Sequence, residues 1–458
     1  MNILILFAIF FALMLLSVPI GISLGTATAI TMLLTSNIDT VMIAQKAFTG
    51  LDSFTLIAIP FFMLAGNLMS LGGIARRIVN FADVLVGKFT GGLGYVTVLG
   101  CMFFAAISGS GPATVSAMGS IMIPEMDERG YDRGFATGLT AVAGTIGVII
   151  PPSIPFVIYG VASGTSVGDL FKAGVIPGIL IGLGLMFVCG IISHKRGYKG
   201  HVRAEKVSLW KTFLDSFWAL LAPVIILGGI YSGIFTPTEA AVIATVYSLF
   251  AGVVIYRELT LKIIIDSLKE TANMNGYTGL ALGFSMSFAA YLAMEQIPQK
   301  IASTLLNSVT QDWLLMALML LVLLIVGCFI DNISSCLILT PVMLPIAIGI
   351  GMSPVHFGIA MTVALAIGFV TPPYGVNLFV ASGVSKLKIE IISKAALPFL
   401  LAMFICLLLI AYIPGISMFL EGVNLLDATR KENANSVERR TIIETVGRRV
   451  YGGIRFKL

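Results

Sequence analysis

Four short stretches set small, polar or proline residues inside long apolar runs. They are Ser108-Gly109-Ser110-Gly111-Pro112, Gly147-Val148-Ile149-Ile150-Pro151-Pro152, Asp331-Asn332-Ile333-Ser334-Ser335 and Gly368-Phe369-Val370-Thr371-Pro372-Pro373. In lipid, irregular backbone is tolerated only where it is buried in protein or lines a cavity. The first and third stretches therefore read as the tips of re-entrant helical hairpins. In the other two, consecutive prolines lack N–H donors and free the carbonyls one turn earlier. Carbonyls around Gly147–Ile150 and Gly368–Thr371 are thus expected to be oxygen ligands without hydrogen-bond duty. Carbonyls and hydroxyls at a broken helix suit a hard monovalent cation such as Na⁺, and half-helix N-termini suit an anionic group.

Pairing each tip with the break of its own half gives two candidate ion sites. One comprises Ser108, Gly109, Ser110, Gly147, Val148 and Pro151; the other comprises Asp331, Asn332, Ser334, Gly368 and Thr371. Pro112, Ser153, Ser335, Tyr374 and Asn377 flank these positions and are candidate substrate contacts. Asp331 stands out because a carboxylate at membrane depth costs about 2.5–3.5 kcal/mol on insertion scales and usually marks an ion, proton or substrate path. Its bland alternative is a helix cap outside the membrane, and its charge leaves proton coupling open.

The surrounding elements must be membrane spans. Of 458 residues 57% are hydrophobic and only 11% charged, against about 25% charged in soluble domains. Runs long enough to cross a bilayer include 3–34, 53–70, 134–163, 170–193, 212–233, 236–256, 276–294, 312–330, 355–384 and 390–414. The first reads as a span and not as a cleaved signal, lacking a basic start and being too long. One offset of 221 residues maps Ser110 on Asp331, Pro124 on Pro345, Gly147 on Gly368 and Pro151-Pro152 on Pro372-Pro373. The predicted fold is an all-α membrane protein built as an inverted repeat. Its halves are 1–193, with a hairpin at 91–126, and 234–414, with a hairpin at 312–350. Residues 194–233 form a loop and a linking span, and the polar stretch 415–458 is expected to be disordered.

The net charge of +5 lies in loops and tail and speaks to topology, not to nucleic acid. Lys195, Arg196, Lys199, Arg203, Lys206 and Lys211 mark their loop as cytoplasmic; parity then puts the arginine-bearing tail outside, against the same rule. Two amphipathic stretches, 38–50 and 259–270, suit arms lying in the membrane interface and bracing a fixed frame. Glu239, in Phe235-Thr236-Pro237-Thr238-Glu239-Ala240, reads as a charge favoured at a helix N-terminus. The five cysteines lie in apolar segments and form no CxxC, the three histidines form no metal pattern, and no nucleotide-binding loop supports an ATP-driven pump. No organic cofactor is called for. Asp331 has no second carboxylate, histidine pair or nucleophile beside it, which argues against an enzyme. An ion channel would also need polar midplane residues, but not two inverted hairpins.

Ile107-Ser108-Gly109-Ser110-Gly111-Pro112-Ala113-Thr114, Ile150-Pro151-Pro152-Ser153, the Phe235–Ala240 stretch and Thr371-Pro372-Pro373 resemble the large membrane subunit of tripartite ATP-independent periplasmic (TRAP) transporters, DctM type. The resemblance runs from residue 1 to about 420. It implies a bacterial inner-membrane carrier driven by a Na⁺ gradient through an elevator-like motion. It also implies a periplasmic binding protein and a separate small four-helix subunit as partners. Carboxylates such as C4-dicarboxylates or sialic acids are the implied cargo. The family's ion positions would fall on the hairpin tips and broken helices named above.

Overall fold

The computed structural model describes residues 2–16, 18–35, 39–200, 209–309, 311–372 and 375–417, and among them every regular element is helical. The run 3–34, expected as one span, is two helices, α1 (Asn2–Leu15) and α2 (Ile20–Thr35). Pro19 has no N–H for the α1 ladder, and the Val18 N–H turns back to the carbonyl of Leu13 instead. Next come α3 (Val41–Leu51), α4 (Ala58–Leu71), α5 (Ile74–Val86), α6 (Gly92–Ser108), α7 (Gly111–Glu128), α8 (Arg133–Ala143), α9 (Ile154–Ser163) and α10 (Val167–Arg196). The second series is α11 (Leu209–Tyr231), α12 (Pro237–Phe250), α13 (Leu261–Met294), α14 (Ile297–Ser308), α15 (Asp312–Gly327), α16 (Asn332–Gly349), α17 (Pro354–Gly368), α18 (Val376–Ser385) and α19 (Ile389–Tyr412). Seven of the described helical stretches are long and apolar enough to cross a membrane.

The 221-residue offset carries α7 onto α16 end for end, and the first residues of α6 to α10 land within one residue of those of α15 to α19. It also reaches beyond the shared motifs. Moved by the same amount, α1 falls on the second half of α11, α2 on α12 and its π-helical extension Ala251–Ile255, and α3 with α4 on α13. Residues 209–231, expected as a link between halves, thus occupy the position that α1 holds in the first series.

One difference between the series is local. After α3 the chain is extended at Ser53 (φ −126, ψ 121) before a 3₁₀ turn leads into α4. The stretch 259–270, expected as a separate arm, instead runs without interruption into α13, a single helix of 34 residues. No proline or extended residue breaks it there, so the i→i−4 ladder continues. α3 lies along the far end of this rod, where the Ser287 hydroxyl donates to the Ile43 carbonyl at 2.7 Å. Asn67 of α4 meets its near end, donating to Thr271 at 3.2 Å. Leu6, Phe10, Leu24, Ala27, Phe288 and Tyr291 close an apolar cluster that holds α1 and α2 to α13.

The main core is centred on α8 and α17, whose residues Gly134–Ala143 and Val355–Gly368 are all buried. A helix apolar on every side belongs in an interior, and these two lead directly into the breaks. Around them the halves are exchanged: α7 packs on α18 of the second series, and α16 packs on α9 of the first. At the start of α12, Thr236 and Glu239 form a reciprocal capping box, which satisfies two orphan N–H groups and accounts for Glu239.

Candidate functional site

The first tip joins α6 to α7 through Gly109 and Ser110. Gly109 has φ +63, a conformation that glycine adopts without the steric cost other residues meet. Its carbonyl accepts the Ile154 N–H at 3.2 Å, and a side chain there would meet the Pro152 carbonyl oxygen at 2.9 Å. The tip is therefore seated on the break between α8 and α9. Ser110 caps α7, accepting the Ala113 N–H at 3.5 Å, with Pro112 in the first turn. The positive end of the α7 dipole faces the tip.

Oxygen atoms converge behind that tip. The Thr114 hydroxyl donates to the Ser110 carbonyl at 2.8 Å and lies 2.9 Å from the Ser108 hydroxyl. Gly147 closes the group from the 3₁₀ segment Gly144–Val148. A Cβ on Gly147 would stand 2.4 Å from Thr114 Oγ1 and 2.6 Å from the Ser110 oxygen. The structure thus brings Ser108, Ser110 and Gly147 together and adds Thr114, absent from the predicted set. At the 221 offset Thr114 corresponds to Ser335, which was named as a candidate substrate contact and not as an ion ligand, so the repeat itself held a signal that this position is polar in both halves.

Two expectations for the first break need correction. The Val148 carbonyl is not without duty, because the Ser153 hydroxyl donates to it at 2.6 Å. The same hydroxyl accepts the Phe156 N–H as the cap of α9, and Ser153 is buried. It is committed to closing the break and faces no solvent. Pro151 is likewise buried beside it. The chain re-enters a helix so soon after the prolines that its own cap satisfies the freed acceptor. A carbonyl has two lone pairs, so Val148 keeps one for a ligand.

The second tip is built differently. Asp331 is the N-cap of α16: its carboxylate accepts the Ser334 N–H at 3.0 Å and its carbonyl accepts the Ser335 N–H at 2.9 Å. It is partly exposed, and no cation pairs with it among the described residues. Ser334 and Ser335 are buried, the latter's hydroxyl donating to the Ile330 carbonyl at 3.5 Å. Asn332 is 1% exposed, and both polar atoms of its carboxamide lack a partner among the described residues. Leaving such a group unpaired costs about 1–3 kcal/mol.

Gly368 of α17 packs backbone to backbone on Gly327 of α15: a Cβ on it would fall 2.2 Å from the Gly327 carbonyl. Hairpin and break are locked together at this point. The expected free carbonyls are again partly engaged. Gly368 accepts the Thr371 N–H at 3.1 Å and Phe369 accepts the Asn377 N–H at 3.0 Å, while the half-buried Thr371 donates its hydroxyl to Ile367 at 2.8 Å. Tyr374 and Pro373 lie outside the described residues.

Asn377, expected to face substrate, is fully buried at the start of α18. Its Nδ2 donates to the Ala141 carbonyl of α8 at 3.2 Å. Among the described residues no three histidine, cysteine or carboxylate side chains gather as a metal cluster. What the site offers is hydroxyls, carbonyls, one carboxylate and two helix N-termini.

Two polar tips, the first with converging oxygens, packed against two interrupted helices in an apolar helical bundle, define a membrane transport protein. Solved transporters share the fold. The Alcanivorax borkumensis YdaH transporter superposes with a TM-score of 0.57 at 16% identity, over 84% of this chain and 91% of that one. Neisseria gonorrhoeae MtrF gives 0.53 at 12%, over 81% and 84%.

Residues 7–416 match the tripartite ATP-independent periplasmic transporter DctM component, and the chain belongs to that family. It is a TRAP large permease subunit, a multi-pass protein of the inner membrane. The isethionate TRAP transporter permease protein DctMQ of Oleidesulfovibrio alaskensis is 46% identical over 91% of this chain, which spans 66% of that protein's length. The C4-dicarboxylate large permease DctM of Rhodobacter capsulatus is 41% identical over 92% of this chain and 99% of its own. The sialic acid large permease SiaM of Vibrio cholerae is 41% identical over 88% and 94%.

Proposed function

We propose that the chain imports an organic anion driven by a Na⁺ gradient, binding the cation where each hairpin tip meets its break. The observation that carries this reading is the oxygen group of Ser108, Ser110 and Thr114 closed by Gly147. Neutral oxygens packed without a carboxylate match a weakly held monovalent cation better than a divalent one. The second site differs by its charge, Asp331. The N-termini of α7 and α16 at the two tips favour an anionic cargo. The cargoes named for the relatives, isethionate, C4-dicarboxylates and sialic acid, are all organic anions, and C4-dicarboxylates and sialic acids head the candidates. The α13 rod with α1 to α4 suits a fixed frame, and the exchanged hairpins and broken helices suit a block that moves as an elevator. A periplasmic binding protein delivering the cargo and a small membrane subunit beside the frame complete the proposed assembly.

The test is thermal stability of the purified chain with its small subunit, titrated with Na⁺, K⁺ or choline at constant ionic strength. A ligand confined to the folded state stabilises by about 2.7 kcal/mol at a hundredfold excess over Kd. A saturable rise with Na⁺ alone supports the reading and opens a screen of organic anions. A chain indifferent to Na⁺ whose uptake follows a pH gradient is a proton-coupled carrier, and uptake that never exceeds equilibrium marks a channel.

A further inference from the structure

The seam between the two halves holds a carboxamide that neither ion site uses. Asn377 is 0% exposed. Its N–H closes the second break on the Phe369 carbonyl, while its Nδ2 reaches across to the Ala141 carbonyl, two residues before α8 gives way to the 3₁₀ segment that carries Gly147. The amide also lies on the first tip. A Cβ built on Gly111 would be 3.3 Å from Asn377 Oδ1, 3.4 Å from Nδ2 and 3.2 Å from the Phe369 ring. The Oδ1 is buried and has no partner among the described residues. One residue thus joins the break of one site, through its backbone N–H, to both the break helix and the tip of the other, through its side chain. The 221 offset puts Phe156 at the equivalent place in the first half, so this tie exists on one side only.

We infer that Asn377 is a positioning residue that couples the two cation sites: ordering the second break by a bound ion fixes the Asn377 amide, and with it α8 and the Gly111 tip of the first site. The unmade bond at Oδ1 is what leaves the amide room to shift as the sites fill, since a carboxamide satisfied at every atom would be pinned in one place. Coupling of this kind makes each ion raise the affinity for the other by the same factor, typically five- to 150-fold. The inference rests on the proposed Na⁺ coupling.

The experiment is the Na⁺ titration of thermal stability on the chain with its small subunit, comparing wild type, Asn377→Leu, Gly111→Ala and the double variant. Leucine keeps the branched shape, with bulkier methyl ends, and removes the Nδ2 arm to Ala141 while the backbone bond to Phe369 stays; alanine at 111 presses on the amide from the tip while leaving Asn377 intact. The wild type should show a Hill slope between one and two, and each single variant a slope of about one, with the half-saturating Na⁺ raised several-fold. The double variant should be no worse than the single ones, because both cut the same tie. A variant that merely loosens packing would melt lower at every Na⁺ concentration with its slope unchanged, and that outcome overturns the inference. A wild-type slope of one overturns it as well. If the wild type shows no Na⁺ response, the proposed function itself is wrong, which is a different result. Should Asn377→Leu fail to fold, Gly111→Ala alone carries the comparison.

Discussion

Gly147→Ala puts a methyl group where the first tip now rests. The added carbon would stand 2.4 Å from Thr114 Oγ1 and 2.6 Å from the Ser110 carbonyl oxygen, whereas real Cβ contacts hardly ever fall under 3.0 Å. The hydroxyl must then retreat by about 0.6 Å and the carbonyl by about 0.4 Å. A hydroxyl can rotate, but the Ser110 oxygen is backbone, so the tip itself must lift. Binding constellations are specified to about 0.5 Å, and a displacement of that size should cost at least about tenfold in Na⁺ affinity, or about 1.4 kcal/mol. Overpacking should lower stability by a further 1–3 kcal/mol or so without Na⁺. The matched control is Gly276→Ala in α13, where nothing lies within 4 Å of the new carbon and helix propensity improves by up to about 1 kcal/mol. Half-saturating Na⁺ is read from the thermal titration for both. If Gly147→Ala keeps its half-saturation within twofold of Gly276→Ala, the assignment of the first cation site to this junction is refuted.

Thr114→Val removes one oxygen at constant shape and should weaken Na⁺ binding about tenfold in the same titration, with Thr114→Ser restoring most of it; equal affinities would remove Thr114 from the site. Asp331→Asn keeps a side-chain acceptor for the Ser334 N–H and discards the charge, so it should melt within a degree or two of wild type without Na⁺ yet lose most Na⁺-driven uptake. Normal uptake would reduce Asp331 to a helix cap. Ser153→Ala deletes the cap of α9 and should cost about 1 kcal/mol of stability with little change in cargo specificity. A changed cargo ranking would return Ser153 to the substrate surface.

The tips and breaks were legible because hydroxyls, a carboxylate and paired prolines contrast with an apolar background and recur in one register. A single proline carries no such signal. Pro19 ends a helix run, yet Pro177, Pro223 and Pro398 sit inside α10, α11 and α19, which continue through them. Thr114 was hidden for a related reason. Thr28, Thr97 and Thr140 all donate to the carbonyl four residues back, so apart from its match to Ser335 in the repeat Thr114 looks like any other helical threonine until Gly147 is placed against it. The same holds for the exchange of α7 and α16 between halves, since that packing pairs residues more than 160 positions apart and leaves no local pattern. Breaks were visible, but the acceptors that close them depend on caps such as Ser153, whose direction only the fold decides.

At about 1.5 Å per residue, the 34 residues of α13 measure about 51 Å, well over the roughly 30 Å of a hydrocarbon core. Its first fifteen residues carry Lys262, Asp266, Lys269 and Glu270 and belong among headgroups, while the remainder crosses. The equivalent pieces of the first half, α3 and α4, meet at an extended residue, so no continuous hydrogen-bond ladder stiffens their junction. A change in bilayer thickness would therefore be absorbed by a bend in one leaflet but would rock a stiff lever in the other. The lipid environment becomes a mechanical load applied to one face of the carrier, and reconstitution in acyl chains of different length is the natural way to feel it.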